Sequence, residues 1–343
     1  MKPVFPDVVG NGVLRQQVSN DLLAQKLSHA YLIEGAKGSG KHMIAYRIAA
    51  ALSCERRDEQ GVPLPCMTCP SCRKILSGNS PDVLRITRED KATMGIEVIR
   101  ELKRDVWIAP NELDFKIYIV EDAHTMTTQA QNSFLLTLEE PPAYVLFLLL
   151  TENAASLLET VRSRAPTLRT EPLTTEQIDE YLSKQSSDGA RLKKADPLEY
   201  FEIVAAANGN IGRALDLLDP NARKPILTQR ANAREFVRLC SARKSSSATL
   251  KFLMGIEQKR EEIIAQMRII QYCLRDLLVC KQTDAAPLCF FADREEAAAL
   301  AYEFTTPELL TLCNRLEEAV SSLQMNANVR LTLTTLAVNA GLL

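Results

Sequence analysis

The chain has 343 residues, a formal net charge of −2 and 46% hydrophobic side chains, enough apolar material for about two or three domains. No apolar run reaches the ~20 residues a membrane-crossing helix needs, since the longest, Val145 to Leu150, is strand-sized, so no membrane partner is expected. A charge so near zero excludes a global electrostatic footprint for nucleic acid, and any DNA contact must come from a local patch or from partner subunits.

Tyr31-Leu32-Ile33 is a short apolar run suited to a buried parallel strand. It leads into Gly35-Ala36-Lys37-Gly38-Ser39-Gly40-Lys41, which fits GxxxxGK, and then into Ile44, Ile48, Ala51 and Leu52 at helical spacing. Strand, glycine loop and helix are the order of a phosphate-binding loop. The backbone at Gly35, Gly38, Ser39 and Gly40 turns N–H groups onto phosphate oxygens, and Lys41 reaches the β- and γ-phosphates. The next position should supply the hydroxyl that holds Mg²⁺, but His42 stands there. The sequence leaves open whether the chain hydrolyses a nucleotide, only holds one, or keeps only the fold. The expected ligand is ATP or ADP, bound weakly or not at all.

Downstream come Cys54, Cys66, Cys69 and Cys72, a CxxCxxC cluster with one further thiol upstream. Four thiolates so spaced match a closed, tetrahedral structural Zn²⁺ site with no open position for catalysis. Disulfides are the main competitor. The N-terminus lacks a signal-peptide pattern, which points to a reducing cytoplasm where thiols persist. Cys240, Cys273, Cys280, Cys289 and Cys313 fall within apolar helical patterns and read as core residues.

A second strand, Ile117-Tyr118-Ile119-Val120, ends in Glu121-Asp122. A nucleotide-hydrolysing site usually places Asp first, to anchor Mg²⁺, and Glu second, to orient water. The order is inverted here, and small misplacements of such groups can cost roughly 10²-fold in rate. From Thr127 to Leu138 the spacing of Ala130, Phe134, Leu135 and Leu138 predicts a helix, stopped by Pro141-Pro142. A third strand, Val145 to Leu150, ends at Thr151-Glu152-Asn153, and Thr160-Val161-Arg162-Ser163-Arg164-Ala165 follows.

These pieces, with Ser28-His29-Ala30-Tyr31-Leu32, Ser80-Pro81-Asp82, Ile99-Arg100-Glu101-Leu102, the run from Asn132 to Pro142 and the closing Asn326-Ala327-Asn328-Val329-Arg330-Leu331, resemble the AAA+ clamp-loader subunits of bacterial DNA polymerase III, most closely the delta-prime type. The resemblance runs from about residue 8 to 220 and returns at the C-terminus. It implies an α/β AAA+ fold: a RecA-like parallel-sheet core with a zinc module (residues 1–172), then a small helical lid (173–222) and an all-α collar for oligomerisation (223–343). Helical patterns at Ile263, Met267, Ile270 and Leu274, and at Leu309, Leu312, Leu316 and Leu323, agree with the last of these.

The resemblance also assigns roles. Thr151 sits where sensor 1 contacts the γ-phosphate, and Arg213, in Gly209-Asn210-Ile211-Gly212-Arg213, resembles the sensor 2 arginine. Arg164, where the family writes Ser-Arg-Cys, corresponds to the arginine projected in trans into a neighbour's ATP site. The implied function is a non-motor subunit that helps load the sliding clamp onto primer-template DNA, bound to gamma/tau and delta subunits in a bacterial cytoplasm at the nucleoid-associated replisome. The alternative is an ATP-hydrolysing motor of gamma/tau type, against which His42 and the Glu121-Asp122 order speak. A zinc-dependent nucleic-acid module is a third reading, but only Arg56, Arg57, Arg73 and Lys74 flank the cysteines.

Overall fold

The structure is a computed structural model that describes residues 4–24, 26–88, 91–242, 246–255, 259–283, 286, 288–291 and 293–340. The chain divides into two compact units, Met1–Gln177 with Gly209–Gly212, and Ile178–Asn208 with Arg213–Leu343.

The first unit runs α1 (Gly12–Leu23), β1 (Ala30–Glu34), α2 (Lys41–Leu52), α3 (Pro70–Leu76), β2 (Val83–Ile86), α4 (Ile96–Asp105), β3 (Lys116–Val120), α5 (Thr128–Glu139), β4 (Val145–Thr151), α6 (Glu159–Arg162) and β5 (Thr167–Arg169). The strands form one parallel sheet in the order β2-β3-β4-β1-β5. Its central strands are buried along their whole length, as continuous apolar runs require when both faces are covered. Alternation then sorts the side chains. Tyr31, Ile33, Ile117, Ile119, Leu146 and Leu148 join one core with Ile44 and Ile48 of α2, while Leu32, Tyr118, Phe147 and Leu149 join the other with Ile99 of α4 and Phe134 of α5. Phe147 lies between Tyr118 and Phe134, with ring centroids 5.4 and 5.1 Å away. This parallel α/β fold fits the AAA+ expectation, with the loop after β1 and the acids after β3 at the carboxyl end of the sheet, where open α/β sheets bind ligands.

Ser80-Pro81-Asp82 has a structural task. Asp82 is fully buried and accepts backbone N–H bonds from Asn111, Glu112 and Leu113 at 2.6, 2.7 and 2.9 Å. That ties the segment before β2 to the turn entering β3.

In the second unit the described elements are helices: most of α7 (Thr175–Gln185), then α8 (Ser187–Ala195), α9 (Pro197–Ala206), the larger part of α10 (Ile211–Asp216), α11 (Pro220–Ser241), α12 (Ser246–Gly255), α13 (Arg260–Gln282), α14 (Arg294–Tyr302), α15 (Thr306–Gln324) and α16 (Val329–Ala340). Ile263, Met267, Ile270, Leu274, Leu309, Leu312, Leu316 and Leu323 pack into one core with Phe236 and Phe290. The split into lid and collar stays a proposal, and α11 spans its expected boundary at 222–223. No described helix is long and apolar enough to cross a membrane.

Burial pushes the Asp82 carboxyl up, but the three N–H donors outweigh it and hold the group below its ordinary value. A depressed native value adds stability above the unfolded value of about 3.9 and loses it as pH falls through the native one. Asp82→Asn is therefore expected to destabilise the first unit by about 1–3 kcal/mol at neutral pH, with the gap to wild type closing as the pH drops below about 4. Urea unfolding followed through Trp107, the chain's single tryptophan, measures both.

Candidate nucleotide and metal sites

The phosphate loop lies between β1 and α2 with Gly38 and Gly40 at φ +81° and +88°, a left-handed backbone that side chains strain to adopt. Gly40 is the N-cap of α2 and no side chain caps that helix, so its first N–H groups face the loop. Lys41 is buried and donates to the carbonyls of Gly35 and Ala36 at 2.7 and 2.8 Å. Burial lowers its pKa, against the pull of Glu152 and Asp122. Thr170 donates to Ser39 Oγ at 3.0 Å. Thr151 is buried at the tip of β4. Its carbonyl accepts from Gly35 N at 3.0 Å and its hydroxyl from Asn153 N at 3.1 Å.

A segment far along the chain returns to this loop. Asn210 Nδ2 donates to Lys37 O at 2.6 Å, and Gly212 N to Gly38 O at 2.9 Å. A Cβ on Gly212 would stand 2.6 Å from Gly38 Cα, and one on Gly38 2.5 Å from Asn210 Oδ1. Asn210 and Gly212 are thus the residues of the Gly209–Arg213 motif that touch the loop within this unit, and the sequence had singled out neither. Arg213, the sequence's candidate, comes next and is half-buried in the second unit.

The acids after β3 are paired internally. Glu121 Oε1 lies 3.3 Å from His42 Nε2 and accepts from Arg85 Nε at 2.6 Å, and Asp122 lies 3.6 Å from Arg88 Nε. Glu121 raises the Arg85 pKa through this bond and its charge. Asp122 adopts a left-handed backbone at φ 48°. Mg²⁺ does not fit these residues as they stand. The ion wants hard oxygen ligands, yet an imidazole replaces the hydroxyl and a guanidinium already holds the carboxylate. Arg85 and Arg88 carried no sequence signal, because neither belongs to a local motif.

The cysteines converge. The sulfurs of Cys54, Cys66, Cys69 and Cys72 lie within 4.8 Å of one another and all four residues are buried, with Cys66 and Cys72 3.9 Å apart. Thiolates about 2.3 Å from a tetrahedral Zn²⁺ would be roughly 3.8 Å apart. The backbone N–H of Cys69 points at Cys66 Sγ (3.3 Å) and that of Cys72 at Cys69 Sγ (3.4 Å). Burial alone would push the Cys66 thiol up, but donors from Cys69 and Thr68 bring it down to about 6, while burial drives Cys54 and Cys72 upward. The set is compatible with structural zinc.

Arg164 follows α6. It donates to Thr160 O at 2.7 Å and pairs with Glu139 at the end of α5. Its side chain remains about one-third exposed.

Residues 10–174, nearly the whole first unit, match the family described as DNA polymerase III, delta subunit. The first unit is similar to DNA polymerase III subunits of the clamp-loader kind. Curated relatives similar to it carry the names of the tau and gamma subunits of that polymerase. The tau subunit of Bacillus subtilis is 34% identical over 215 residues, 63% of this chain and 37% of its own. Tau of Escherichia coli K12 is 33% identical over 63% of this chain and 32% of its own, and gamma of Buchnera aphidicola (Schizaphis graminum) 31% over 63% and 57%. The chain thus spans between about a third and somewhat over half of their lengths. A solved gamma-subunit-related protein from Thermotoga maritima overlays with a TM-score of 0.44 at 19% identity, covering 94% of this chain and 98% of its own, a loose agreement.

Freshly purified, reduced protein is expected to carry about one zinc, and Cys72→Ser to lose it together with several kcal/mol of stability in the first unit. Colorimetric zinc release with melting curves checks both.

Proposed function

We propose that this chain is a clamp-loader subunit of the non-motor, delta-prime type. It would help place a sliding clamp on primer-template DNA in the bacterial replisome, flanked by gamma/tau and delta subunits. The observation that supports this most directly is Glu121, which His42 and Arg85 engage where a motor subunit would keep its metal-anchoring acid available. In this reading the contribution to catalysis is made elsewhere. Arg164 leaves Glu139 on assembly and stabilises charge developing on a neighbour's γ-phosphate. The Cys54, Cys66, Cys69 and Cys72 site holds a structural zinc, and Thr151 and Arg213 keep the sensor positions without a turnover role.

A second reading, an ATP-hydrolysing gamma/tau-type motor, is favoured by the comparisons, since the curated relatives carry those names. One assay separates the two. The pure chain with Mg²⁺ and ATP is expected to show no turnover above background, and steady hydrolysis abolished by Lys41→Ala would establish the motor.

The trans role has its own test. Arg164→Ala should leave folding, zinc content and assembly unchanged, because a partly exposed arginine contributes little to its own domain. ATP turnover of the reconstituted complex should fall by at least roughly tenfold, at the modest end of arginine-finger effects. Unchanged turnover in an assembled mutant complex would make Arg164 structural.

A further inference from the structure

The misfit between this site and Mg²⁺ has a specific cause, a cation built into the chain. Arg85 sits on β2, paired with β3 so that Arg85 lies beside Ile119, two residues before Glu121. Its Nε spans the sheet edge to Glu121 Oε1, the same oxygen that faces His42 Nε2. Only Nε is used. The two terminal nitrogens make no hydrogen bond among the described residues, and the side chain is about half exposed while Glu121 is only 15% exposed.

A guanidinium keeps its charge at all working pH values and offers several donors in a planar fork that suits phosphate oxygens. Here Glu121 fixes it near His42, which directly follows the loop lysine. A divalent ion would need an unpaired Glu121 and a hydroxyl at position 42, but Arg85 already holds the carboxylate and His42 replaces the hydroxyl. The cradle itself persists, with Gly38 and Gly40 in their left-handed turns, an uncapped α2 and a buried Lys41.

We propose that Arg85 takes the place of the divalent cation, so that the phosphate loop accepts a nucleoside di- or triphosphate without metal. This rests on the reading of the site as non-hydrolysing and adds what that reading lacks, a ligand state. Glu121 positions Arg85, Lys41 and the loop N–H groups hold the phosphates, and Mg²⁺ contributes nothing to affinity.

The test is titration of the full-length chain with fluorescent ADP and ATP in resin-treated, metal-free buffer and again with millimolar Mg²⁺. A strong chelator is avoided because it would strip the cysteine site. The expected result is binding whose affinity changes by less than about twofold between the two buffers. Arg85→Ala should weaken binding in metal-free buffer by at least about tenfold, as for the loss of a charge-assisted contact. Arg85→Lys, which keeps the charge, should recover part of that loss, and it serves as the second variant if alanine impairs folding. No binding in either buffer, binding that strengthens tenfold or more with Mg²⁺, or wild-type affinity in Arg85→Ala would each overturn the proposal. None of these readings involves turnover. ATP hydrolysis by the chain would remove the non-motor reading while leaving the metal dependence to be read separately.

Discussion

The parallel pairing of β1 with β4 sets everything at the phosphate loop. Glu34 lies beside Thr151 in that register, and the next amide, Gly35 N, bonds the Thr151 carbonyl. Because the strands run the same way, their carboxyl ends share one edge. The loop, the acids after β3 and the tip of β4 therefore meet although residues between positions 35 and 151 separate them in sequence. The register is strongly held, since shifting it by one residue would exchange the two cores, moving Phe147 and Leu149 to the face now filled by Leu146 and Leu148.

On that edge, electrostatics decides what the site can do. Active nucleotide sites leave their acids underneutralised so that a metal is drawn in. Here each acid has a cationic neighbour from the edge strand or the segment just after it, and Lys41 satisfies itself on the loop's own carbonyls. The fold supplies a phosphate loop, and the charges around it are already paired with one another.

The central strands were legible because burial on both faces forces continuous apolar runs, as at Ile117–Val120 and Val145–Leu150. The edge strands were not. Val83–Ile86 is only half-buried and carries Arg85 outward, and Thr167–Arg169 has three residues. The cysteine site could be read because its ligand spacing is local and Cys54 lies close upstream. The helices of the second unit could be read from their leucine spacing. Arg85 reaches Glu121 across 36 residues and Asn210 reaches Lys37 across 173. Contacts of that kind follow from topology, which no local pattern contains, and this is why the motif Gly209–Arg213 was noticed for its arginine and not for the residues that touch the loop.

Gly212 lies directly against the Gly38 main chain and donates its N–H to the Gly38 carbonyl, so Gly212 cannot take a side chain while Gly38 stays in place. The obstacle is main chain, and no rotamer change relieves it. Two positions far apart in sequence thereby behave as a single locus. The effect of substituting one depends on whether the other has already forced the strands of chain apart, so paired replacements should depart from additivity in the way expected of residues in direct contact.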